Sequence, residues 1–443
     1  MHNFAAMQLN DPLILSDDFK YALDLLEKTS TNLFLTGKAG TGKSTLLSLF
    51  KSTSRKKMAV LAPTGVAALN VQGQTIHSFF GFPPRIITPQ EAGRKTSRKD
   101  LLRLYKNLQV LVIDEISMVR ADILDGIDIF LRHNRENHLP FGGVQMIFVG
   151  DLFQLPPVIT NDPVERGYFK DYYDSPYFFS AKVFQEDQWP IEHLELRKVY
   201  RQDSRHFLRL LEAVRLNTID FDDLEDLNER HNAAFADTEG YITLCARNAT
   251  ADRINRDALQ RLDTPKFSFT AEVKGIFDPS LYPTDPEMVL RKGAQVMFIK
   301  NDPDRDFVNG TIGVVTQIAA DQIAVKINEP NGRGKTIDVT KSEWEILKYK
   351  ADMGGNIEAE PIGSFRQYPL KLAWAITIHK SQGKTFDKVL IDLGGGAFEH
   401  GQLYVALSRC RTLEGLVLRQ PIRPNDVITD ERVVSYYERA FRR

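Results

Sequence analysis

Residues 37–44 read Gly37-Lys38-Ala39-Gly40-Thr41-Gly42-Lys43-Ser44, a complete G-x-x-x-x-G-K-S phosphate loop. This pattern constrains the fold because it works only at one kind of junction. A buried strand must feed it and a helix must leave it, so that backbone N–H groups and a helix N-terminus converge on one anionic point. Both flanks are present: Asn32-Leu33-Phe34-Leu35 is an apolar run suited to a buried strand, and Lys43 to Phe50 has helix-forming composition. Gly37, Gly40 and Gly42 let the backbone turn. Lys43 can then reach the β- and γ-phosphates of a nucleotide, the Ser44 hydroxyl can sit on Mg²⁺, and Thr41 and Thr45 belong to the same cradle.

A second nucleotide element follows. The apolar run Val110-Leu111-Val112-Ile113 ends in Asp114-Glu115. In that position Asp114 would hold Mg²⁺, with Ser44, and Glu115 would orient and activate the attacking water. A further strand, Val144 to Val149, leads into Gly150-Asp151-Leu152-Phe153-Gln154. A polar Gln154 at a strand end can donate to the γ-phosphate and sense its loss, and Pro156-Pro157 holds the loop extended. Phosphoryl transfer also needs a cation near the developing charge. Arg201, in Val199-Tyr200-Arg201-Gln202, and Arg409, in Tyr404 to Arg409, are the candidates.

At 443 residues the chain is too long for one ordinary core, so two to four domains are expected. No apolar stretch is long enough to span a bilayer and no signal peptide opens the chain, which predicts a soluble protein of the cytoplasm or nucleoid. Cys245 and Cys410 have no metal-ligand spacing and predict no disulfide framework. A net charge of −1 means that a polyanion would have to be bound by a local groove.

Taken in order, these segments resemble a superfamily-one helicase of the RecD-like branch, and within it the Pif family of 5′→3′ DNA helicases. The resemblance rests also on Ala62-Pro63-Thr64-Gly65-Val66-Ala67-Ala68, Gly73-Gln74-Thr75-Ile76-His77-Ser78-Phe79, Thr377-Ile378-His379-Lys380-Ser381-Gln382-Gly383-Lys384-Thr385 and the segment Asp125 to Gly143. It implies an α/β fold: two RecA-like P-loop lobes, with a small wedge insertion in the first and a small β-barrel insertion in the second. ATP and Mg²⁺ would bind between the lobes. Lys43, Asp114, Glu115 and Gln154 match first-lobe positions of the ATP site, Arg201 and Arg409 match arginines reaching the γ-phosphate from the second lobe, and Gly383 and Lys384 match a motif linking nucleotide and DNA. Matching DNA positions are Pro63, Thr64, Gly65, His77 and Phe79 on the first lobe and Thr377, His379 and Lys380 on the second. Implied partners are single-stranded DNA and forked or tailed duplexes, with G-quadruplex DNA and RNA–DNA hybrids also raised, and a monomer is expected. Roles in replication, repair, recombination or telomere-type maintenance follow from the same resemblance. An RNA helicase of the same superfamily and an ATP-gated nucleic-acid-binding module are the alternatives. One departure concerns the base: related chains carry an adenine-reading Gln soon after the Leu-Ser preceding the loop, whereas Leu15-Ser16 is followed here by Asp17-Asp18-Phe19. Gln8 or Asn10 would have to replace it.

The expected layout is a first lobe over 1–180 with the wedge at about 81–101, Pro-rich and then basic through Arg94-Lys95-Thr96-Ser97-Arg98-Lys99. The aromatic-rich stretch Asp162 to Trp189 is expected to link the lobes. The second lobe covers 181–264 and 366–443, resuming with Ile191 to Leu196 and continuing with Leu370 to Thr377. The β-barrel covers 265–365, with turn signals at Asn309-Gly310 and Asn331-Gly332.

Overall fold

The computed structural model describes residues 16–441 except 187–188, 203, 237–238, 303, 305, 320–321 and 329–333. Gln8, Asn10 and the Asn331-Gly332 turn lie outside the described residues. The first lobe is a six-stranded parallel sheet in the order Gln74–Thr75, Met58–Ala62, Val110–Ile113, Gln145–Val149, Asn32–Gly37, Ile191–Leu196. Its central strands are largely apolar because both faces are covered, with Thr36 and Gln145 as buried polar residues. Leu33, Leu35, Val110 and Val112 point into one core with Phe19, Leu46 and Phe50, while Phe34, Leu111 and Ile113 point into the other. This is the period of two along each strand.

Two expectations about lobe boundaries are corrected. Ile191–Leu196 does not open the second lobe. It pairs in parallel with Asn32–Gly37 over six residues, from Asn32–Ile191 to Gly37–Leu196, and forms the edge of the first sheet. Its mixed composition, Ile191-Glu192-His193-Leu194-Glu195-Leu196, suits an edge and does not reveal which sheet it joins. Nor is 162–189 a free connector. The helix Pro163–Tyr172, N-capped by Asp162, is followed by Phe178, Ala181 and Val183, all buried in the first-lobe core.

The wedge segment is docked rather than loose. Thr88 and Glu91 form a capping box on the helix Pro89–Ala92, and Ile87 lies so close to Gly126 that a Cβ there would stand 2.9 Å from its Cγ2. Gly126 sits on the long helix Ala121–Arg135, so a small residue is what lets the insertion seat.

The second lobe carries a four-stranded parallel sheet in the order Ala375–Thr377, Ile242–Cys245, Val389–Asp392, Leu416–Leu418. Leu370–Leu372, expected to be continuous with it, pairs antiparallel with Gln295–Phe298 and belongs to the insertion. That insertion holds a five-stranded antiparallel sheet and a two-stranded one, Lys266–Thr270 with Glu287–Arg291, which share a core of Phe269, Met288, Leu290, Val296, Phe298 and Val325. A third sheet was not anticipated. Ser342–Ala351 and Ile357–Gln367 form a long hairpin, joined by Glu272–Gly275. The hairpin reaches the first lobe: Tyr349 OH accepts from Val60 N (3.0 Å), and Tyr349 N donates to Gln74 Oε1 (3.2 Å). The C-terminal helix Glu431–Phe441 also returns to the first lobe, where Tyr436 stacks on Phe179 (4.4 Å between centroids) and Tyr437 OH donates to Glu195 (2.7 Å). Both cysteines are buried and free. No helix among the described residues is long and apolar enough to cross a membrane.

Candidate nucleotide and nucleic-acid site

The phosphate loop leaves the end of Asn32–Gly37 and enters the helix Lys43–Thr53. Gly40 and Gly42 stand at φ +83° and +86°, a left-handed backbone that glycine adopts without strain. Gly40 has a second reason to lack a side chain, because a Cβ there would stand 2.5 Å from Arg201 Cβ. The loop bounds a cavity of about 840 Å³ between the lobes. Gly40, Thr41, Gly42, Lys43, Ser44, Thr45, Asp114, Glu115 and Gln154 line one side of it, facing Arg201, Gly383 and Arg409. Thus all but two of the expected nucleotide residues line this cavity. Gly37 is the exception at the strand end, packed against Leu196. Lys384 is the other, turned away so that its amine donates to Asn309 Oδ1 (3.0 Å).

Burial sets the electrostatics. Desolvation raises the Asp114 carboxyl to about 6 and, with Asp114 beside it, raises Glu115 to about 7. A proton acceptor near neutrality is what water activation needs. Glu115 also has φ +51°, unusual for a non-glycine residue and found at functional turns. Burial lowers the Lys43 amine, with Asp151 and Glu115 opposing. Arg409 is 1% exposed and donates to Val405 O, Ser381 O, Lys384 O and Ser408 Oγ. It makes no ion pair among the described residues. Burial, then Arg201, push its guanidinium down to about 9. Burial lowers Arg201 to about 10. Buried Arg409 beside half-buried Arg201, neither in an ion pair among the described residues, forms a site that an anion would complete.

Arg201 is reached differently from what was expected. It follows the edge strand of the first sheet, with Tyr200 N donating to Gly40 O (2.9 Å), and its Nη1 then donates across to Ser408 O (3.1 Å). It therefore hangs from the first lobe onto the second.

Several residues were missed in the sequence. Gln382, a second-lobe residue, donates through Nε2 to Glu115 Oε2 (3.2 Å) and Gln154 Oε1 (3.3 Å). Behind Gln154 lies a buried network. Gln154 Nε2 donates to Asp151 Oδ2 (3.1 Å), Arg215 Nη2 to Asp151 Oδ1 (3.3 Å), and Tyr404 OH to Asp151 Oδ2 (3.4 Å) while accepting from Ala39 N (3.1 Å). Arg215 also stacks on Phe153 at 4.4 Å. Its signal was a lone cation in Leu210-Leu211-Glu212-Ala213-Val214-Arg215, one helical turn from Leu211. Phe19 and Tyr200 line the cavity beside Gly42, apolar surface for a base.

The expected nucleic-acid residues cluster at strand ends. Pro63, Thr64 and Gly65 follow Met58–Ala62, and His77 follows Gln74–Thr75. In the second lobe Thr377 ends the strand Ala375–Thr377, and His379 and Lys380 follow it in the same way. Thr64 and Thr377 cap the short helices that begin there, accepting from Ala67 N and Lys380 N. Lys380 is exposed, and His379 Nε2 lies 3.1 Å from Glu399. Phe79 is corrected. It is 4% exposed and packs edge-on against Phe80, Tyr105 and Tyr349, so no ring face is free to stack on a base. On this one-turn helix, Ile76, Phe79 and Phe80 share the inward face and leave Ser78 outside.

Residues 15–224 match the PIF1-like helicase family, and residues 372–417 match the UvrD-like helicase C-terminal domain. The ATP-dependent DNA helicase Pif1 of Bdellovibrio bacteriovorus is 34% identical over 440 residues, which covers 96% of this chain and 92% of that one. The chain belongs to the PIF1-like helicase family. The crystal structure of Bacteroides sp Pif1 in complex with ADP-AlF4 is 39% identical and superposes with a TM-score of 0.88, covering 97% of this chain and 98% of that one. Bacteroides Pif1 bound to ssDNA, 40% identical over the same shares, gives 0.69. This PIF1-like chain therefore arranges its parts more as in the first of those structures than in the second.

Proposed function

We propose that this chain is an ATP-driven motor that translocates 5′→3′ on single-stranded DNA and unwinds duplex DNA. The observation that carries the reading is the interlobe cleft, where Arg409 is a buried cation with no ion-pair partner among the described residues, facing Glu115 and the phosphate loop. A triphosphate supplies the missing anion. Its γ-phosphate draws Arg201 and Arg409 inward, and cleavage removes the group that held them there. Glu115 accepts the proton of the attacking water, and Gln154, braced by Asp151, orients the γ-phosphate. Ser44 and Asp114 offer hard oxygen donors from two loops, the sparse protein set that suits Mg²⁺ beside phosphate. When bound, the ion neutralises charge on the phosphate oxygens. One chain contributes both walls of the cleft, which supports a monomeric catalytic unit working at DNA in the cytoplasm or nucleoid.

Thr64 and His77 on one lobe and Thr377 and Lys380 on the other would grip the strand alternately as the cleft opens and closes. Gln382 joins the two events, since it lies in the second-lobe segment that carries Lys380 and touches Glu115. The test is strand displacement on partial duplexes with a 5′ or a 3′ single-stranded tail, with and without ATP. ATP-dependent displacement from the 5′-tailed substrate alone is expected. Displacement from the 3′ tail alone refutes the polarity, and displacement from neither refutes the motor.

A further inference from the structure

A second cavity, of about 330 Å³, lies between the wedge segment, the helix Ile76–Phe80 and the long hairpin of the insertion. Its size is at the lower end of that of sites that hold small organic groups. Among the described residues four cations line it, Arg94, Lys95, Arg98 and Lys348, and no carboxylate does. Lys95 is paired with Glu136 (3.1 Å) and Arg98 with Asp100 (2.5 Å). Arg94 and Lys348 form no ion pair among the described residues, and they approach from opposite walls, one from the wedge and one from the hairpin. The floor is closed and apolar, made by the buried rings of Phe79, Phe80 and Tyr349, with the faces of Phe80 covered by Phe82 and Tyr105 and Ser78 beside them. A cationic rim of this kind suits the phosphates of a single strand. The contrast with a neighbouring cavity of about 500 Å³ is instructive. That one is lined by Asp122, Asp125, Asp128 and Glu186 and would repel a polyanion.

We infer that the 330 Å³ cavity holds a nucleotide of the strand that the motor excludes, the 3′ tail of a fork. This inference rests on the motor reading given above, because it takes the tracked strand to lie on the strand-end loops. Of the residues assigned to those loops only Phe79 touches this cavity, as part of its floor. The site is therefore off the tracked path, and a fork offers one further single strand to fill it. A chain with a net charge of −1 does not attract that strand at large, so a local cationic pocket is needed to hold it away from its complement.

The experiment is equilibrium binding without ATP, measured across a salt series. It compares a 5′-tailed duplex, a fork with both tails, and a fork whose 3′ tail has uncharged methylphosphonate linkages. Wild-type protein is expected to bind the charged fork more tightly than the other two. Its slope of log affinity against log salt should be steeper by about 0.7 for each phosphate engaged. The double variant Arg94→Ala/Lys348→Ala removes two exposed-side cations without opening the core. It should lose the fork advantage and the extra slope while keeping wild-type affinity for the 5′-tailed duplex and wild-type DNA-stimulated ATP hydrolysis. A photoreactive base in the 3′ tail should cross-link to the peptide containing Phe80 or Tyr349. The inference is overturned if wild type shows no fork advantage, if the variant keeps it, or if the variant weakens both charged substrates equally. Failure of the motor reading would show separately, as loss of ATP-dependent displacement by wild type.

Discussion

Replacing Arg409 by methionine is expected to stabilise the nucleotide-free protein while abolishing its work. Burial, with Arg201 beside it, lowers the Arg409 guanidinium from its ordinary value to about 9, which corresponds to about 5 kcal/mol against the charged form in the folded state. A cation whose folded value lies below its unfolded one destabilises the fold at every pH below the folded value. The penalty is thus complete at neutral pH and fades only as pH rises through about 9 and beyond. Arg409→Met removes it and fills the volume with an apolar chain of similar length. Against this stand the four hydrogen bonds that Arg409 donates, two of them long at 3.4 Å, at about 0.5–1.5 kcal/mol each. Roughly 1 kcal/mol of stabilisation remains, a rise of about 2–4 °C in the melting temperature of a lobe this size. Hydrolysis should fall about 10³-fold or further, the loss that follows removal of an arginine finger. Differential scanning calorimetry with and without nucleotide, and single-turnover hydrolysis, read the two effects. Wild type should also gain more than the variant from a nucleoside diphosphate with aluminium fluoride, because only wild type has the cation to neutralise. A variant that melts lower than wild type refutes the burial argument, and one that hydrolyses ATP normally refutes the role of Arg409.

Other substitutions probe the remaining parts. Glu115→Gln should keep nucleotide affinity and lower the hydrolysis rate about 10²–10⁴-fold, checked by equilibrium binding beside steady-state kinetics. Gln382→Ala breaks the contacts with Glu115 and Gln154, so DNA-stimulated kcat should fall about tenfold with the KM for ATP little changed. An equal fall in unstimulated hydrolysis would mean that Gln382 only shapes the site. Gly40→Ala places a Cβ 2.5 Å from Arg201 Cβ at a backbone φ of +83°, so nucleotide affinity should drop sharply and the melting temperature should fall by a few degrees. Arg215→Ala leaves Asp151 buried without its ion pair and should cost about 3–5 kcal/mol in chemical denaturation.

Features whose physics is local could be read from the chain before it was folded. A phosphate loop needs glycines at particular backbone angles and a helix start, all within Gly37 to Ser44, and the structure has them there. Val110 to Ile113 is apolar at every position because a central parallel strand is covered on both faces, and its terminal acids then meet the loop.

Other features depend on residues far apart in the chain. Ile191–Leu196 could pair with either sheet, and its partner is 159 positions away in the register Asn32 with Ile191. Phe79 reads the same as a base-stacking ring and as a core ring until Tyr105 and Tyr349 close over it. Gln382 reaches Glu115 across 267 positions, and Arg215 reaches Asp151 across 64. The cationic cavity likewise exists only because the hairpin brings Lys348 to Arg94. Backbone geometry and burial period are properties of a few neighbouring residues, whereas these contacts arise when separately patterned units pack, and no short segment carries the information about what it will meet.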